Sequence, residues 1–209
     1  KTTGPLEKLL IASAFRWPDA VVAGAAAAHE DNTAVLLSGY TRTEKHKLTQ
    51  AFINAHQKTG RYAIGGPAVN GYALQPEVYR SIFGVGRVGT SAAVAEFFFE
   101  APAHAGLARA GGTGTDQDPM FADALTGGVH IGGRLDGPML LTGTSELSVE
   151  AARYLCWTAH TLERVWVYGG VQAVAAAVQA RAEQAIQGGG AQQECSFDPA
   201  PAHGAFPSP

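Results

Sequence analysis

The sequence predicts an α/β fold in which one unit of alternating strands and helices occurs twice in tandem. Two observations lead to this prediction. Short apolar runs alternate with helical patterns along most of the chain. The pattern also repeats when Asp19 is aligned with Asp123, 104 residues further on, and at that offset both copies end a strand in a double glycine.

The first copy is predicted to contain three strands with two helices between them. Residues 9–12 and 34–37 are short apolar runs bounded by polar residues, a pattern typical of buried parallel strands. A small-residue helix opens near Asp19, between these runs, and a third strand at residues 61–66 ends in the double glycine. The second helix is predicted from apolar residues at helical spacing, which are Leu48, Ala51, Phe52 and Ala55.

The second copy follows the same order and has an additional helix at each end. Residues 107–110 predict a weaker first strand, residues 138–141 the second and residues 165–170 the third. Residues 88–99 predict a helix that opens this unit; its counterpart would lie before Lys1, so the first unit is incomplete. Two later helices are predicted from apolar residues at helical spacing, which are Ala152, Leu155, Cys156 and Ala159 in one and Val171, Val174, Val178 and Ala182 in the other.

Strands and helices that alternate at this spacing predict βαβ units with right-handed crossovers and mostly parallel sheets. The predicted fold class is therefore α/β, with two tandem Rossmann-like or flavodoxin-like repeat units. We place the first unit, which lacks its N-terminal part, at residues 1–80 and the second unit at residues 81–187. Residues 188–209 are rich in Gly and Pro and are predicted to form an irregular tail.

Composition limits the classes of protein and site that the chain can represent. Of its 209 residues, 46% are hydrophobic, which is enough for a buried core, and the net charge of −3 does not suggest a nucleic-acid partner. No run of about 18 apolar residues occurs, so no membrane span is predicted. The two cysteines have no metal-type spacing; Cys156 and Cys195 either pair in one disulfide or stay as a buried and a loose thiol.

Several motifs, repeated in one order, resemble the cell wall binding repeat 2 family of Gram-positive surface proteins, which includes clostridial S-layer proteins and amidase-associated proteins. Residues 12–21 are similar to the family's Ser-Gly-x-x-Phe-Pro-Asp-Ala-Leu pattern, and residues 121–125 are similar to its end. The family's Pro-Ile-Leu-Leu strand resembles residues 138–142 and 34–38. The remaining similarities are an Ile-Gly-Gly strand end at residues 64–66 and 168–170 and an Arg-x-x-Thr-Ala opening at residues 87–92.

The resemblance covers residues 9–186 and implies a secreted, non-catalytic module at the cell wall or cell surface. Its ligand would be an anionic cell-wall polymer, either teichoic-acid-like or a secondary polysaccharide, and we expect no cofactor and no metal. Members of the family usually carry three copies that pack as a pseudo-threefold ring. With two copies, this chain would either complete a ring as a homo-oligomer, a dimer or a trimer, or pack as a pseudo-dimer.

The candidate ligand-binding residues lie where predicted strands end and helices begin. Ligands of parallel α/β sheets bind at the carboxyl ends of the strands, where helix N-termini offer free N–H groups to anions. Hydroxyl groups, arginines and glycines that permit close approach of a ligand stand at these junctions. The predicted set is Ser38, Gly39, Thr41, Arg42, Gly65, Gly66, Arg87, Thr142, Gly143, Thr144, Ser145, Gly169 and Gly170.

Charged residues of these motifs also have structural interpretations. Asp19 and Asp123 stand in the first turn of equivalent helices, where the helix dipole favours a carboxylate. We therefore interpret both as structural acids at helix starts, because two equivalent aspartates indicate repeated architecture more than a catalytic pair. Arg87 either binds a phosphate group or pairs with a nearby acid.

Two other functions stay open from the sequence. Gly84-x-Gly86-x-x-Gly89 matches the dinucleotide-binding fingerprint, which makes a nucleotide-binding α/β enzyme one alternative. The fingerprint also requires an acidic residue after a second strand, and no residue of the chain is a clear candidate for it. A tight strand-to-helix turn within the repeat explains the glycines equally well. The other alternative is an oligomerising surface scaffold that binds no glycan.

Overall fold

The structure is a computed structural model that describes residues 4–39, 47–72, 80–111 and 122–188. The first half of the chain contains strands β1 (Lys8–Ser13), β2 (Thr33–Ser38), β3 (Gly60–Ile64) and β4 (Arg80–Ile82) and helices α1 (Trp17–His29), α2 (Lys47–Ala55) and α3 (Gly66–Tyr72). The second half contains helices α4 (Gly86–Phe98), α5 (Ala122–Arg134), α6 (Val149–Trp157) and α7 (Ala176–Gly188) and strands β5 (His104–Arg109), β6 (Met139–Thr142) and β7 (Arg164–Tyr168).

The described strands form two parallel sheets, one in each half of the chain. Their strand orders are β2-β1-β3-β4 and β6-β5-β7. In both sheets the first strand of the unit lies between the second and the third, and every one of these pairings is parallel. The predicted α/β class with two tandem Rossmann-like units is therefore confirmed.

The strand register relates the two units as copies. Ile11 of β1 lies opposite Leu36 of β2, and Leu107 of β5 lies opposite Leu140 of β6. The second strands keep the predicted offset of 104 residues, but the central strands differ by 107 − 11 = 96 residues. The second copy therefore has 104 − 96 = 8 more residues between its central strand and α5, and most of that loop lies outside the described residues.

Alternate residues of β1 pack against different layers of the molecule. Leu10 and Ala12 face a core that they share with α1, whereas Leu9 and Ile11 face a second core under α2 and α3. All four side chains are fully buried. Burial on both faces explains why this strand is an unbroken apolar run in the sequence.

β2 is only partly buried, which differs from the prediction that both copies of this strand are buried. Leu141 of β6 is 0% exposed, whereas Leu37 at the equivalent position of β2 is 50% exposed. α4 packs over β6, and Ser91 Oγ accepts a 3.0 Å hydrogen bond from the Leu141 N–H at the outer edge of that strand. Among the described helices, only α1 and α2 make extensive contact with β2, and no described helix covers it as α4 covers β6.

The last helix begins later than its apolar pattern predicts. α7 starts at Ala176, whereas the spacing of apolar residues predicts a start at Val171. The Ala175 N–H donates a 2.8 Å hydrogen bond to Thr144 O in the loop after β6, which holds the chain at that loop before the helix begins. Ala159 likewise lies beyond the end of α6, in the hydrogen-bonded turn that follows it.

Helices α1 and α5 run parallel in close contact and join the two units. A Cβ on Gly132 of α5 would collide with the backbone of Ala25 of α1, so only glycine permits this approach. Near the C-terminal ends of the two helices, His29 Nδ1 lies 3.6 Å from Asp136 Oδ1. The N-termini of α1 and α5 therefore lie side by side, at the edge where the parallel strands have their carboxyl ends.

Candidate functional site

Each unit has an aspartate in contact with a glycine at the carboxyl edge of its sheet. Asp19, in the first turn of α1, lies against Gly65 directly after β3. Asp123, in the first turn of α5, lies against Gly169 directly after β7. Both glycines have a positive φ, 82° and 99°, and a Cβ on either would collide with the carboxyl group. The double-glycine motif thus provides the space that the aligned aspartate occupies.

The two aspartates differ in exposure because α4 covers only the first of them. Asp19 is 6% exposed, and its carboxyl group is hydrogen-bonded to Thr90 of α4. Asp123 is exposed, and no described helix follows its unit in the way that α4 follows the first. Equivalent positions in the repeat therefore have different solvation.

Burial also changes the acidity of Asp19. Loss of solvent raises its pKa from 3.8 to about 6, although Arg16, the Thr90 hydrogen bond and Arg87 all act to lower it. The carboxyl group therefore changes its charge just below neutral pH. This titration takes place beside two cations at the junction between the units.

Arg16 and Arg87, which we call the arginine pair, lie at the N-terminal ends of α1 and α4. Both act electrostatically on Asp19. Arg87 Nη1 donates a 2.6 Å hydrogen bond to Ala110 O, just after β5, and its guanidinium carbon lies 5.9 Å from the centroid of the Trp17 ring. Two cations and an aromatic ring therefore gather where elements of both units meet.

Arg87 is one of the ligand-binding residues predicted from the sequence, whereas Arg16 and Trp17 are not among them. Both missed residues stand directly between β1 and the first turn of α1, at a strand-to-helix junction of the kind used to choose the other candidates. In the sequence both belong to the motif that precedes the helix. Their junction position is the signal that would have found them.

In the first unit the predicted ligand-binding residues are mostly covered. Ser38 is 1% exposed, Gly39 and Gly65 are buried, and Gly66 is half-buried. A ligand that needs these backbone groups would have to displace protein atoms. Outside the described residues lie Thr41 and Arg42.

In the second unit the equivalent loops are open to solvent. The predicted residues that are exposed there are Gly143, Ser145, Gly169 and Gly170, and Thr144 is half-buried. The hydrogen bond from Ala175 N–H to Thr144 O joins the loop after β6 to the segment after β7. The structure therefore brings the second-unit candidates to one open edge.

Thr142 differs from the other candidates of the second unit because it is 0% exposed. Its Oγ1 donates a 3.1 Å hydrogen bond to Glu146 O and accepts one of 2.9 Å from the Ser148 N–H. Both bonds fold the loop back on the end of β6. Thr142 thus orders the loop and does not itself reach solvent.

The glycine motif at residues 84–89 forms a tight turn from β4 into α4. A Cβ on Gly84 would collide with the backbone of Gly89, and Gly86 has a φ of 64°. In a dinucleotide-binding unit, the helix joins two parallel strands of one sheet. Here α4 leads from β4 in the first sheet to β5 in the second, so these residues do not form that unit.

Three sequence predictions concern a metal, a membrane span and a disulfide. Within the described ranges, no three or more His, Cys, Asp and Glu side chains are placed to hold a metal ion. No helix in the same part of the chain has the length and apolar character needed to cross a membrane. Cys156 is half-buried on α6 and disulfide-bonded, which favours the disulfide over the free thiols that the sequence left open as the alternative. The other cysteine, Cys195, lies outside the described residues.

A cavity of about 500 Å³ lies at the opposite edge of the molecule, near the C-terminal ends of α1, α4 and α5. Ionisable side chains of both signs line it, among them His29, Glu100, His104, Arg134 and Asp136. The negative ends of helix dipoles and two carboxylates disfavour an anion there. The carboxyl edge is therefore the better candidate for anion binding.

The fold is that of a repeat-built α/β protein, and at the carboxyl edge of its second sheet the loops lie open to solvent. Residues 81–179 match the family described as Cell wall binding domain 2 (CWB2). This match agrees with the resemblance that the motifs of the sequence indicated. The second half of the chain is therefore similar to a cell wall binding domain.

Two solved structures share the fold. Cwp8 from Clostridium difficile aligns with a TM-score of 0.63 and 20% identity, over 88% of this chain and 30% of that chain. Cwp6 from Clostridium difficile aligns with a TM-score of 0.66 and 18% identity, over 86% of this chain and 28% of that chain. The chain thus spans less than a third of either protein, and the likeness concerns the fold alone. No curated protein sequence matches the chain.

Proposed function

We propose that the chain is a non-catalytic module that attaches a secreted protein to the bacterial cell wall by binding an anionic polymer. The polymer is teichoic-acid-like or a secondary polysaccharide. The match of residues 81–179 to a cell wall binding domain carries the proposal. The fold shared with two Clostridium difficile proteins supports it.

The arginine pair supports an anionic ligand. Guanidinium groups present planar sets of donors that suit phosphate and carboxylate oxygens. Arg16 and Arg87 stand at the positive ends of two helix dipoles, which adds to the attraction of an anion. The Trp17 ring beside Arg87 gives a sugar ring an apolar face to stack on.

The open loops of the second unit supply a second type of contact. The exposed backbone of Gly143, Gly169 and Gly170 and the Ser145 hydroxyl suit the hydroxyl groups of a polysaccharide. Thr142 positions this loop through its two hydrogen bonds. The polymer would thus meet cations at the junction of the units and neutral polar groups on the second unit.

The geometry favours binding over the two alternatives that the sequence left open. The turn at residues 84–89 joins two different sheets, which argues against a nucleotide-binding enzyme. Asp19 and Asp123 each occupy the space beside a glycine, which supports a structural role for them instead of catalysis. A scaffold without glycan binding would not explain the match of residues 81–179 to a cell wall binding domain.

The test is sedimentation of the purified chain with insoluble Gram-positive cell walls. We expect the wild type to sediment, and the double variant Arg16→Gln/Arg87→Gln to lose most of that binding. Arg181→Gln, an exposed position on α7 away from the carboxyl edge, is the matched control for the loss of an arginine and should bind as the wild type does. Equal binding by the wild type and the double variant would contradict the role of the arginine pair.

We further propose that the chain associates head to tail into a homo-oligomer, a dimer or a trimer. Val21 and Ala25 of α1 pack on α5 and are 6% and 1% exposed. The equivalent residues of α5, Leu125 and Val129, are 49% and 68% exposed. α5 therefore presents to solvent the apolar face that α1 buries within the chain.

α1 carries the complementary open face. α5 receives α1 at Gly128 and Gly132, where atoms of Ala25 lie close by. At the position of Gly128, α1 has Gly24, and nothing lies within 4 Å of a Cβ built there. α5 of a second copy would fit this face, and such a heterologous contact closes into a ring when its rotation permits.

Light scattering after size exclusion tests the assembly. The wild type should show the mass of two or three chains, and Leu125→Ser/Val129→Ser should show the mass of one. Leu48→Ser, at a 72% exposed apolar residue on α2, is the matched control and should assemble like the wild type. A single-chain mass for the wild type at high concentration would contradict the proposed oligomer.

A further inference from the structure

The central strand of the second sheet ends in an arginine. Arg109 is the last residue of β5, and its partner on β6 is Thr142, which orders the open loop after that strand. Arg109 is half-buried, and its Nε is buried without a hydrogen-bond partner. No ion pair joins its guanidinium group to an acid within the described part of the chain. A cation with an unpartnered donor therefore stands at the carboxyl edge of this sheet.

The topology of the second sheet makes the end of β5 a place where ligands bind. α5 leads from β5 to β6 on one side, and α6 leads from β6 to β7 on the other side of β5. The two helices lie on opposite faces, because Ala108 shares a core with α5 whereas Leu107 shares one with α6. Ligands of parallel α/β sheets bind outside the carboxyl ends of the strands, where the connections change direction in this way. Arg109 is the residue of β5 at that point.

The first unit has a short side chain at the equivalent position. Its central strand is offset by 96 residues, so the counterpart of Arg109 is residue 109 − 96 = 13, which is Ser13. Ser13 is 1% exposed, and its Oγ accepts a 3.1 Å hydrogen bond from the Phe15 N–H. A small buried hydroxyl group therefore satisfies the fold at this position, and the arginine of the second unit needs another explanation.

We propose that Arg109 binds one anionic group of the wall polymer, a phosphate or a carboxylate, at the open edge of the second unit. This inference rests on the proposed function and adds a cation where that function names only neutral groups. A guanidinium group presents paired N–H donors to two oxygens of such an anion. The loops on both sides of β5 are exposed, at Gly143 and Ser145 after β6 and at Gly169 and Gly170 after β7, so an anion can approach.

Arg109 also extends the positive charge of the arginine pair along the same edge. Arg87 donates its hydrogen bond to the carbonyl of Ala110, the residue that follows Arg109. Ala110 belongs to the core on the α5 face, whereas Arg109 stands two residues after Leu107, on the α6 face. A polymer that crosses the carboxyl edge would therefore meet cations on both faces of the second sheet, which suits a ligand with repeated anionic groups.

The first test measures binding isotherms on insoluble Gram-positive cell walls. Arg109→Gln, and Arg109→Ser with the residue type of the first unit, should each bind about tenfold more weakly than the wild type, because a charged hydrogen bond is lost. Arg164→Gln is the matched control, since Arg164 is exposed and begins β7 at the opposite edge of the same sheet. It should bind as the wild type does.

The second test observes Arg109 in the wild-type protein and does not depend on the folding of a charge-removing variant. The Nε–H resonance of Arg109 in ¹H–¹⁵N spectra is assigned by its loss in Arg109→Lys. It should shift, with saturation, when inorganic polyphosphate or polygalacturonate is added. A shift with polyphosphate assigns the anionic group as a phosphate, and a shift with polygalacturonate assigns it as a carboxylate.

Two outcomes overturn this inference and leave the proposed function intact. One is binding of Arg109→Gln to walls with the affinity of the wild type. The other is an Arg109 resonance that neither polyanion shifts while the wild type still binds walls. Failure of the wild type to bind walls would contradict the proposed function and this inference together.

Discussion

The carboxyl group of Asp19 occupies the space in which a Cβ of residue 65 would lie, and Gly65 leaves that space free with a φ of 82°. The same relationship holds between Asp123 and Gly169. In both units this contact ties the start of the first helix to the end of the third strand. It explains why an aspartate and a double glycine recur together in the sequence.

Replacement of Gly65 by alanine should therefore destabilise the fold. The methyl group would meet the Asp19 carboxyl group, and a non-glycine residue at positive φ is strained, so we expect a loss of about 1–3 kcal/mol. Urea denaturation measures it. Gly66→Ala is the matched control, because nothing lies within 4 Å of a Cβ there, and equal stability of the two variants would contradict the contact.

Asp19→Asn should be more stable than the wild type above about pH 6 and similar to it in strong acid. The pKa of Asp19 is about 6 in the folded protein and 3.8 for an ordinary aspartate, so the folded state binds the proton more tightly than the unfolded state. The contribution of this carboxyl group is therefore fully present below pH 3.8 and is lost as the pH rises through 6.

The amide side chain introduced by Asp19→Asn avoids this loss in the free energy of unfolding, which is on the order of 3 kcal/mol. Urea denaturation of both proteins at about pH 3.5 and pH 8 checks the prediction. The difference between the two free energies of unfolding should grow with pH. A difference that shrinks as the pH rises would show that the electrostatic attraction of Arg16 and Arg87 outweighs the cost of burial.

Gly132→Ala should loosen the contact between the two units. Its methyl group would collide with the backbone of Ala25, and overpacking of this kind costs about 1–3 kcal/mol. Gly24→Ala on α1 has open space and should stabilise the helix by about 0.5–1 kcal/mol. Thermal unfolding compares the stability of the two variants, at a low protein concentration where association does not contribute. A Gly132→Ala variant more stable than the wild type would contradict the close packing of α1 and α5.

We predict that Cys156 pairs with Cys195, the one other cysteine of the chain. In denaturant, thiol titration should find no free thiol before reduction and both thiols after it. Closing a loop of this length stabilises a protein by about 4 kcal/mol in the chain-entropy model, so reduction should lower the free energy of unfolding by up to that amount. Reactive thiols in the unreduced, denatured protein would contradict the pairing.

The positions of the strands along the chain and the duplication were predictable because they depend on local patterns. The apolar runs that contain Leu36 and Leu140 lie 104 residues apart and lie at the same register in their sheets. A buried parallel strand must be apolar on both faces, so its signal is present in a short stretch of sequence. The copies of a repeat can therefore be recognised from their own sequence, without information on the segments that pack against them.

The exposure of equivalent residues was not predictable in the same way. Leu37 and Leu141 occupy the same position of the repeat, but α4 covers only the second of them. Asp19 and Asp123 differ for the related reason that α4 also covers the first site. Burial depends on which distant segment packs above a residue, and the pattern around each residue does not contain that information.

The central claim is that an anionic wall polymer is the ligand of this chain. The most direct measurement is its binding isotherm on Gram-positive cell walls before and after acid extraction of the wall polymers. We predict saturable binding to intact walls, loss of that binding after extraction, and competition by the extracted polymer. Undiminished binding to the extracted walls would mean that peptidoglycan itself is the ligand and would contradict the account.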